Sequence, residues 1–166
     1  MGTTMINSIL IILLWIGAIG CGLMAGIYFA FSTFIMSSLA RIETASGILA
    51  MQSINETILR SPFMPLFFGT TLCAAATFII ALRNTAATDT GLVIAACVIY
   101  IGGMFLVTAL LNVPLNNILK DVDPYSAHGA EVWDHYLLRW TQWNHIRTGA
   151  SLLSAILFFI SLKGDI

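Results

Sequence analysis

The sequence predicts an all-α fold: an integral-membrane four-helix bundle made of two helical hairpins, with an interfacial helix after the first span. Three observations predict it. Of 166 residues, 58% are hydrophobic and 9% charged, where a soluble domain carries roughly 25% charged residues. The apolar residues fall in four long runs. Polar and charged residues gather in the connections between those runs. The length suits a single domain, 1–166.

The first span is placed at 6–39. No charged side chain occurs from Met1 to Ala40. As one helix this run would be about 50 Å long, longer than the hydrocarbon core, so it must tilt, kink or project. No Lys or Arg precedes it, and it is too long for the apolar region of a secretory signal. Ala18-Ile19-Gly20-Cys21 resembles a lipoprotein cleavage site only loosely, so the helix is expected to stay as an anchor. Gly22 and Gly26 have the G-x-x-x-G spacing that lets helices approach closely. That face would serve either a homo-oligomer or packing inside the bundle. Tyr28, Phe29, Phe31 and Phe34 form an aromatic section that either lines a cavity for a flat ligand or simply packs.

Arg41 to Arg60 mixes apolar with polar residues and reads as an amphipathic interfacial helix, ended by Ser61-Pro62. The second span, 63–82, stops at Arg83, and Asn84–Thr90 is a short polar turn. The third span, 92–111, carries Gly102-Gly103, and Pro114 is expected to disturb the helix just past its end. Lys120 to Tyr125 is a charged loop.

The fourth span, 140–162, poses a length problem. After Arg147 only Thr148 to Leu162 remain before Lys163. At 1.5 Å per residue they cover roughly 23 Å, short of the ~30 Å core. The crossing must therefore begin near Trp140, with Glu131 to Arg147 helical and running into it. That draws Asn144, His145 and Arg147 to the membrane boundary or inside it, where an ionisable group suggests a function. The alternative is that Arg147 snorkels to the headgroups beside two interfacial tryptophans.

With this layout both long connections lie on one side. Arg41, Arg60, Lys120 and Arg139 stand there, against Arg83 and Lys163 on the other. The positive-inside rule places the long connections in the cytoplasm and both termini outside, in a multi-pass protein of the cell (inner) membrane. The net charge of -1 gives no reason to expect a nucleic-acid partner; the partner that composition implies is the lipid bilayer. Cys21, Cys73 and Cys97 all lie in apolar runs and read as small hydrophobes.

Chemistry points to one cluster: Asn112, Asn116, Trp140, Asn144 and Arg147. Asparagine amides both donate and accept, and arginine offers five donors. In a low-dielectric site they would orient a carbonyl, phenol or enolate and stabilise developing negative charge. Trp140 or Trp143 would stack on a ring. Tyr136, Trp140, Trp143 and Arg147 recur at steps of four, three and four, hence near one helix face. His145 is a candidate general base pointing off that face. The opposing reading is helix-helix glue with an aromatic belt. His128, Glu131 and His135 have spacing compatible with a metal, but a solvated helix face is the better reading, so no metal site is expected. No phosphate loop, dinucleotide fingerprint, serine elbow or zinc-type cysteine pattern occurs.

Four segments resemble the DUF1772 family of small four-helix membrane proteins, which includes the anthrone oxygenases. They are Gly22 to Ser32, Met51-Gln-Ser-Ile-Asn55, Asn112-Val-Pro-Leu-Asn116 and Trp140-Thr-Gln-Trp-Asn-His-Ile-Arg147. The resemblance implies oxidation of a hydrophobic phenolic or anthrone-type aromatic with O2, with no added cofactor. Asn144 and Arg147 would hold its oxygens, Trp140 would stack, and His145 would take a proton. Asn112, Asn116, Trp143 and Tyr28 would complete the substrate site. Family does not fix activity. The alternative is a non-enzymatic membrane protein that binds a small molecule or a partner through the same cluster. A transporter fits less well, because one four-span unit is small.

Overall fold

The computed structural model describes residues 2–83 and 90–163, with side chains described from Ser8 to Leu162. The turn expected at Asn84–Thr90 falls, apart from Thr90, outside the described residues. Every described element is helical. Helix α1 comprises Gly2–Ala30, a π-helical turn Phe31–Ile35 and Met36–Leu39. Helix α2 is Thr44–Ile58, and α3 is Phe63–Arg83. Helix α4 comprises Thr90–Tyr100, π-helical Ile101–Leu106 and Thr108–Asn112, and Val113–Lys120. Helix α5 is Ala127–Lys163.

Among the described residues four helices are long and apolar enough to cross a membrane: Ser8–Leu39, Phe63–Arg83, Thr90–Lys120 and Ala127–Leu162. The protein is thus an all-α, multi-pass membrane bundle. Helix α1 packs on α3 and α5, and α4 also packs on α3 and α5, which closes the ring. Two cores fill it. One, around Met24, Ala96, Tyr100, Met104 and Phe158, lies among the four spans. The other gathers Ile48, Met51, Leu119, Trp133, Tyr136 and Trp140 where α2 covers one end of the bundle. Gln52 pins that cover, its Nε2 donating to the Leu119 carbonyl at 2.9 Å and to that of Val122 at 3.2 Å.

One expectation is corrected, and one open alternative is narrowed. Pro114 does not end the third helix, because the backbone widens just before it. In the π turn the Val113 N–H reaches back to the Thr108 carbonyl, an i to i−5 bond that opens room for a residue lacking its own N–H. The connection expected over Asn112–Trp140 is accordingly mostly helix, with a corner between Lys120 and Ala127. The small-residue contacts also fall elsewhere. A Cβ at Gly20 would collide with Thr70, and one at Gly103 would lie 2.5 Å from the Ala150 Cβ. Beyond Gly22 and Gly26 nothing lies within 4 Å, so the G-x-x-x-G face takes no part in packing within the chain.

Candidate functional site

Helix α5 carries the site because a single face of it turns inward. From Trp140, a step of 100° per residue puts Asn144 about 40° to one side and Arg147 about 20° to the other. Trp140, Asn144 and Arg147 are 5%, 0% and 4% exposed. Trp143 lies about 60° away and is only half-buried. His145, about 140° away, is exposed.

Arg147 is the centre. Its guanidinium carbon lies 4.3 Å from the Tyr28 ring centroid and 4.8 Å from that of Trp140, cation–π distances that desolvation strengthens. One terminal nitrogen donates to Asn144 Oδ1 at 2.7 Å, and the other to Thr108 Oγ1 at 3.4 Å. Among the described residues no carboxylate stands within ion-pair distance of it. Its Nε finds no acceptor either. A buried cation without a counter-anion is costly unless other groups or a ligand offset it.

Asn144 fixes that guanidinium. Its amide donates to the Tyr28 carbonyl and to Ser32 Oγ, both at 2.7 Å. Both donors being engaged, the Asn144 oxygen must face Arg147. Ser32 is shared in turn with Thr148 at 3.0 Å. Asn112 works in the same way, donating from Nδ2 to the Trp140 carbonyl at 3.1 Å. Trp140 also ends a ladder of rings. Trp133 stacks on Tyr136 and Tyr136 on Trp140, with centroids 5.7 and 5.9 Å apart, and Phe31 leans on Trp140 at 5.6 Å. The Tyr136 hydroxyl donates to Asn116 Oδ1 at 2.8 Å and accepts from Asn55 Nδ2 at 3.4 Å.

In front of Arg147 lies a cavity of about 310 Å³. Pockets for small organic ligands begin at roughly 300 Å³. Helix α1 lines it with Tyr28 and Phe31, α2 with Met51, Ile54 and Asn55, and α3 with Phe63, Phe67 and Phe68. Helix α4 adds Phe105, Thr108, Ala109, Val113 and Asn116, and α5 adds Trp140 and Arg147. The walls are thus aromatic and aliphatic, with few polar groups, the guanidinium among them. The Trp140 indole N–H is buried without an acceptor and is a further free donor.

Of the residues singled out in the sequence, Tyr28, Phe31, Asn116, Trp140 and Arg147 line the cavity. Asn112 and Asn144 do not; they hold Trp140 and Arg147 from behind. Trp143 and His145 are not in the lining, which places the imidazole away from any ligand there. Reasoning from sequence missed Thr108 and the phenylalanines of α3 and α4, and it gave no site role to Ser32 and Asn55, which stand in two of the segments that carry the resemblance. Thr108 and Asn112, and likewise Tyr28 and Ser32, stand four residues apart, the helical spacing that could have flagged them. Among the described residues no group of three His, Cys, Asp or Glu is placed to hold a metal ion. His128 and Glu131 form a solvated pair, 3.9 Å apart.

A family model described as anthrone oxygenase matches residues 58–157, which spans α3, α4 and most of α5 and includes Asn112, Asn116, Trp140, Asn144 and Arg147. No curated protein and no solved structure matches the chain.

Proposed function

The chain belongs to the anthrone oxygenase family, and on that footing we propose that it is a membrane-embedded oxygenase acting on a lipophilic phenolic aromatic with O2. One observation carries this reading: the Arg147 guanidinium faces an aromatic-lined cavity with no carboxylate among the described residues to neutralise it. A ring system slides between the phenylalanines and Trp140. Its oxygen takes the place of the missing counter-anion.

The chemistry follows from that placement. An anthrone carries a CH2 group conjugated through its rings to a carbonyl. Loss of one CH2 proton gives an enolate whose negative charge rests largely on oxygen. A guanidinium there stabilises the enolate more than the neutral ketone, which is the form of binding that accelerates a reaction. The electron-rich enolate carbon passes one electron to O2, and the radical pair joins to form a C–O bond. The resulting hydroperoxide loses water to leave a second carbonyl. In sum, CH2 and O2 become C=O and H2O, and the four electrons that reduce O2 come from the substrate. Arg147 holds the oxygen, Trp140 stacks and offers its free N–H, and Asn144 and Asn112 keep the two in register.

A second reading, a non-enzymatic binder of the same kind of molecule, is favoured by one observation. The residues lining the cavity include no carboxylate, imidazole or amine to accept the proton, so in the oxygenase reading it passes to water. Oxygen uptake separates the two. Purified protein given an anthrone should consume one O2 per anthrone, and Arg147→Ala should lose this uptake. Equal rates in both proteins, or none in either, would remove the catalytic assignment.

A further inference from the structure

We propose that the cavity is loaded and emptied sideways, through a gap between α3 and α4 that opens on lipid. This rests on the reading above that its occupant is a lipophilic aromatic. Four of the lining residues, Leu59, Phe68, Ala109 and Val113, are at once cavity wall and outer surface. Leu59 is 64% exposed, Phe68 48% and Val113 41%. Phe68 stands five residues, about 7.5 Å, into α3, and Ala109 and Val113 lie within the long apolar helix α4. All four side chains are uncharged and apolar. Surface of that kind on a membrane span meets acyl chains, and an aromatic dissolved in the bilayer reaches it without returning to water.

The end of the bundle under α2 is shut. Helix α2 lies over the bundle there, with Ile48 and Met51 at most 1% exposed. Gln52 ties that helix to the carbonyls of Leu119 and Val122. Behind it the Asn55–Tyr136–Asn116 bonds close the polar side of the cavity. A ligand arriving from water would have to break these bonds and lift a packed helix. A ligand arriving from lipid has only to part apolar side chains. It would enter with its oxygen end leading toward Arg147 on the far wall.

The test uses full-length protein in phosphatidylcholine vesicles and 1,8-dihydroxyanthraquinone as a stable probe, its binding followed by quenching of tryptophan fluorescence. An Ala109→Cys variant is alkylated with N-phenylmaleimide to plug the gap. The native Cys21, Cys73 and Cys97 are 0%, 8% and 0% exposed, so the introduced thiol is the reactive one. Leu110→Cys, treated alike, is the control. Leu110 is the next residue, 66% exposed to the outside, and does not line the cavity. Alkylated Ala109→Cys should bind and release the probe about tenfold more slowly, as expected when a ligand's path is obstructed. Alkylated Leu110→Cys, whose side chain does not line the cavity, should match wild type in both rates.

Equal rates for the two alkylated variants would overturn the lateral path. So would faster association in Gln52→Ala, which would make the covered end the entrance, or no binding by wild type. Oxygen uptake from an anthrone, measured in parallel, keeps the two proposals apart. Full uptake by alkylated Ala109→Cys would sink the portal and leave the oxygenase standing. Slowed probe binding in a protein that takes up no oxygen would support the portal and sink the oxygenase.

Discussion

If Arg147 is kept for a ligand rather than for the fold, its removal should cost activity but little stability. Arg147→Met tests this, because methionine fills a similar volume without charge. The wild-type side chain makes one short charged hydrogen bond, at 2.7 Å to Asn144, worth about 1.5–3 kcal/mol. It also makes two cation–π contacts, at 4.3 and 4.8 Å, each worth about 2 kcal/mol when desolvated. Against these stands the penalty of holding a guanidinium at 4% exposure with no carboxylate beside it among the described residues, an effective several kcal/mol. The two sides are of similar size, so the net change should stay within about 2 kcal/mol, or about 8 °C in Tm for a chain of this length. A member of a satisfied buried ion pair would instead cost about 3–5 kcal/mol on removal. Oxygen uptake should fall by about 10²- to 10³-fold, the usual loss when a donor to a developing oxyanion is removed. Thermal unfolding in detergent and an oxygen electrode read the two quantities on one preparation. A Tm drop beyond about 12 °C, or uptake within about tenfold of wild type, would refute the reasoning and make the guanidinium helix glue.

Three further outcomes are expected. Asn144→Leu removes three hydrogen bonds, to Arg147, Tyr28 and Ser32; at about 0.6 kcal/mol each inside a membrane it should lose about 2 kcal/mol. Its oxygen uptake should fall through kcat, and in the double variant with Arg147→Met the two losses should be less than additive, as a double-mutant cycle would register. Gly103→Val should destabilise by about 1–3 kcal/mol through overpacking on Ala150, whereas Gly26→Ala, with open space beyond it, should leave Tm unchanged or raise it by the helix-propensity gain of up to about 1 kcal/mol. The orientation expected from the positive-inside rule predicts that a Ser53→Cys thiol on exposed α2 reacts with a membrane-impermeant maleimide only after intact cells are permeabilised; labelling of intact cells would reverse the orientation.

The bundle was legible because bilayer thickness converts directly into residue counts. The same arithmetic drew attention to Arg147: 15 residues cannot cross the core, so the lead-in of the last helix must descend into it. Facing was harder to read. In a helix that is apolar on every side, hydropathy cannot distinguish the inward stripe from the lipid-facing one. Tyr28 and Phe31 line the cavity while their neighbours Phe29 and Phe34 are each 58% exposed, and nothing in the local composition separates the pairs. The same ambiguity made Trp143 look equivalent to Trp140. Polar residues were more informative, because burying an amide in such a core requires a partner. Asn112 and Asn144 drew attention for that reason, and both are buried beside the cavity rather than in its lining; whether an amide touches a ligand or steadies a neighbour depends on where its donors go, which needs coordinates.

The π turns could not be read from the sequence at all, yet they explain why the cluster converges. A bulge of this kind adds a residue to the backbone without adding a turn, shifting the phase of everything beyond it by roughly 100°. In α1 the stripe Leu14, Cys21, Met24 and Tyr28 packs against the spans, and after the turn at Phe31–Ile35 Met36 packs in the second core. In α4 Met104 belongs to the first core, while beyond Thr108–Asn112 Leu119 belongs to the second. A further turn, Ile101–Leu106, holds Met104 itself; the turns at Phe31–Ile35 and Thr108–Asn112 carry Ser32, Thr108 and Asn112, which with Tyr28 bond Asn144, face Arg147 or hold Trp140. A regular α-helix could present one stripe to the bundle or the next to the α2 cover, but it would drift off one of them. The bulges let each helix serve both, and they contribute Phe31, Phe105, Thr108 and Ala109 to the lining of the cavity that Arg147 faces.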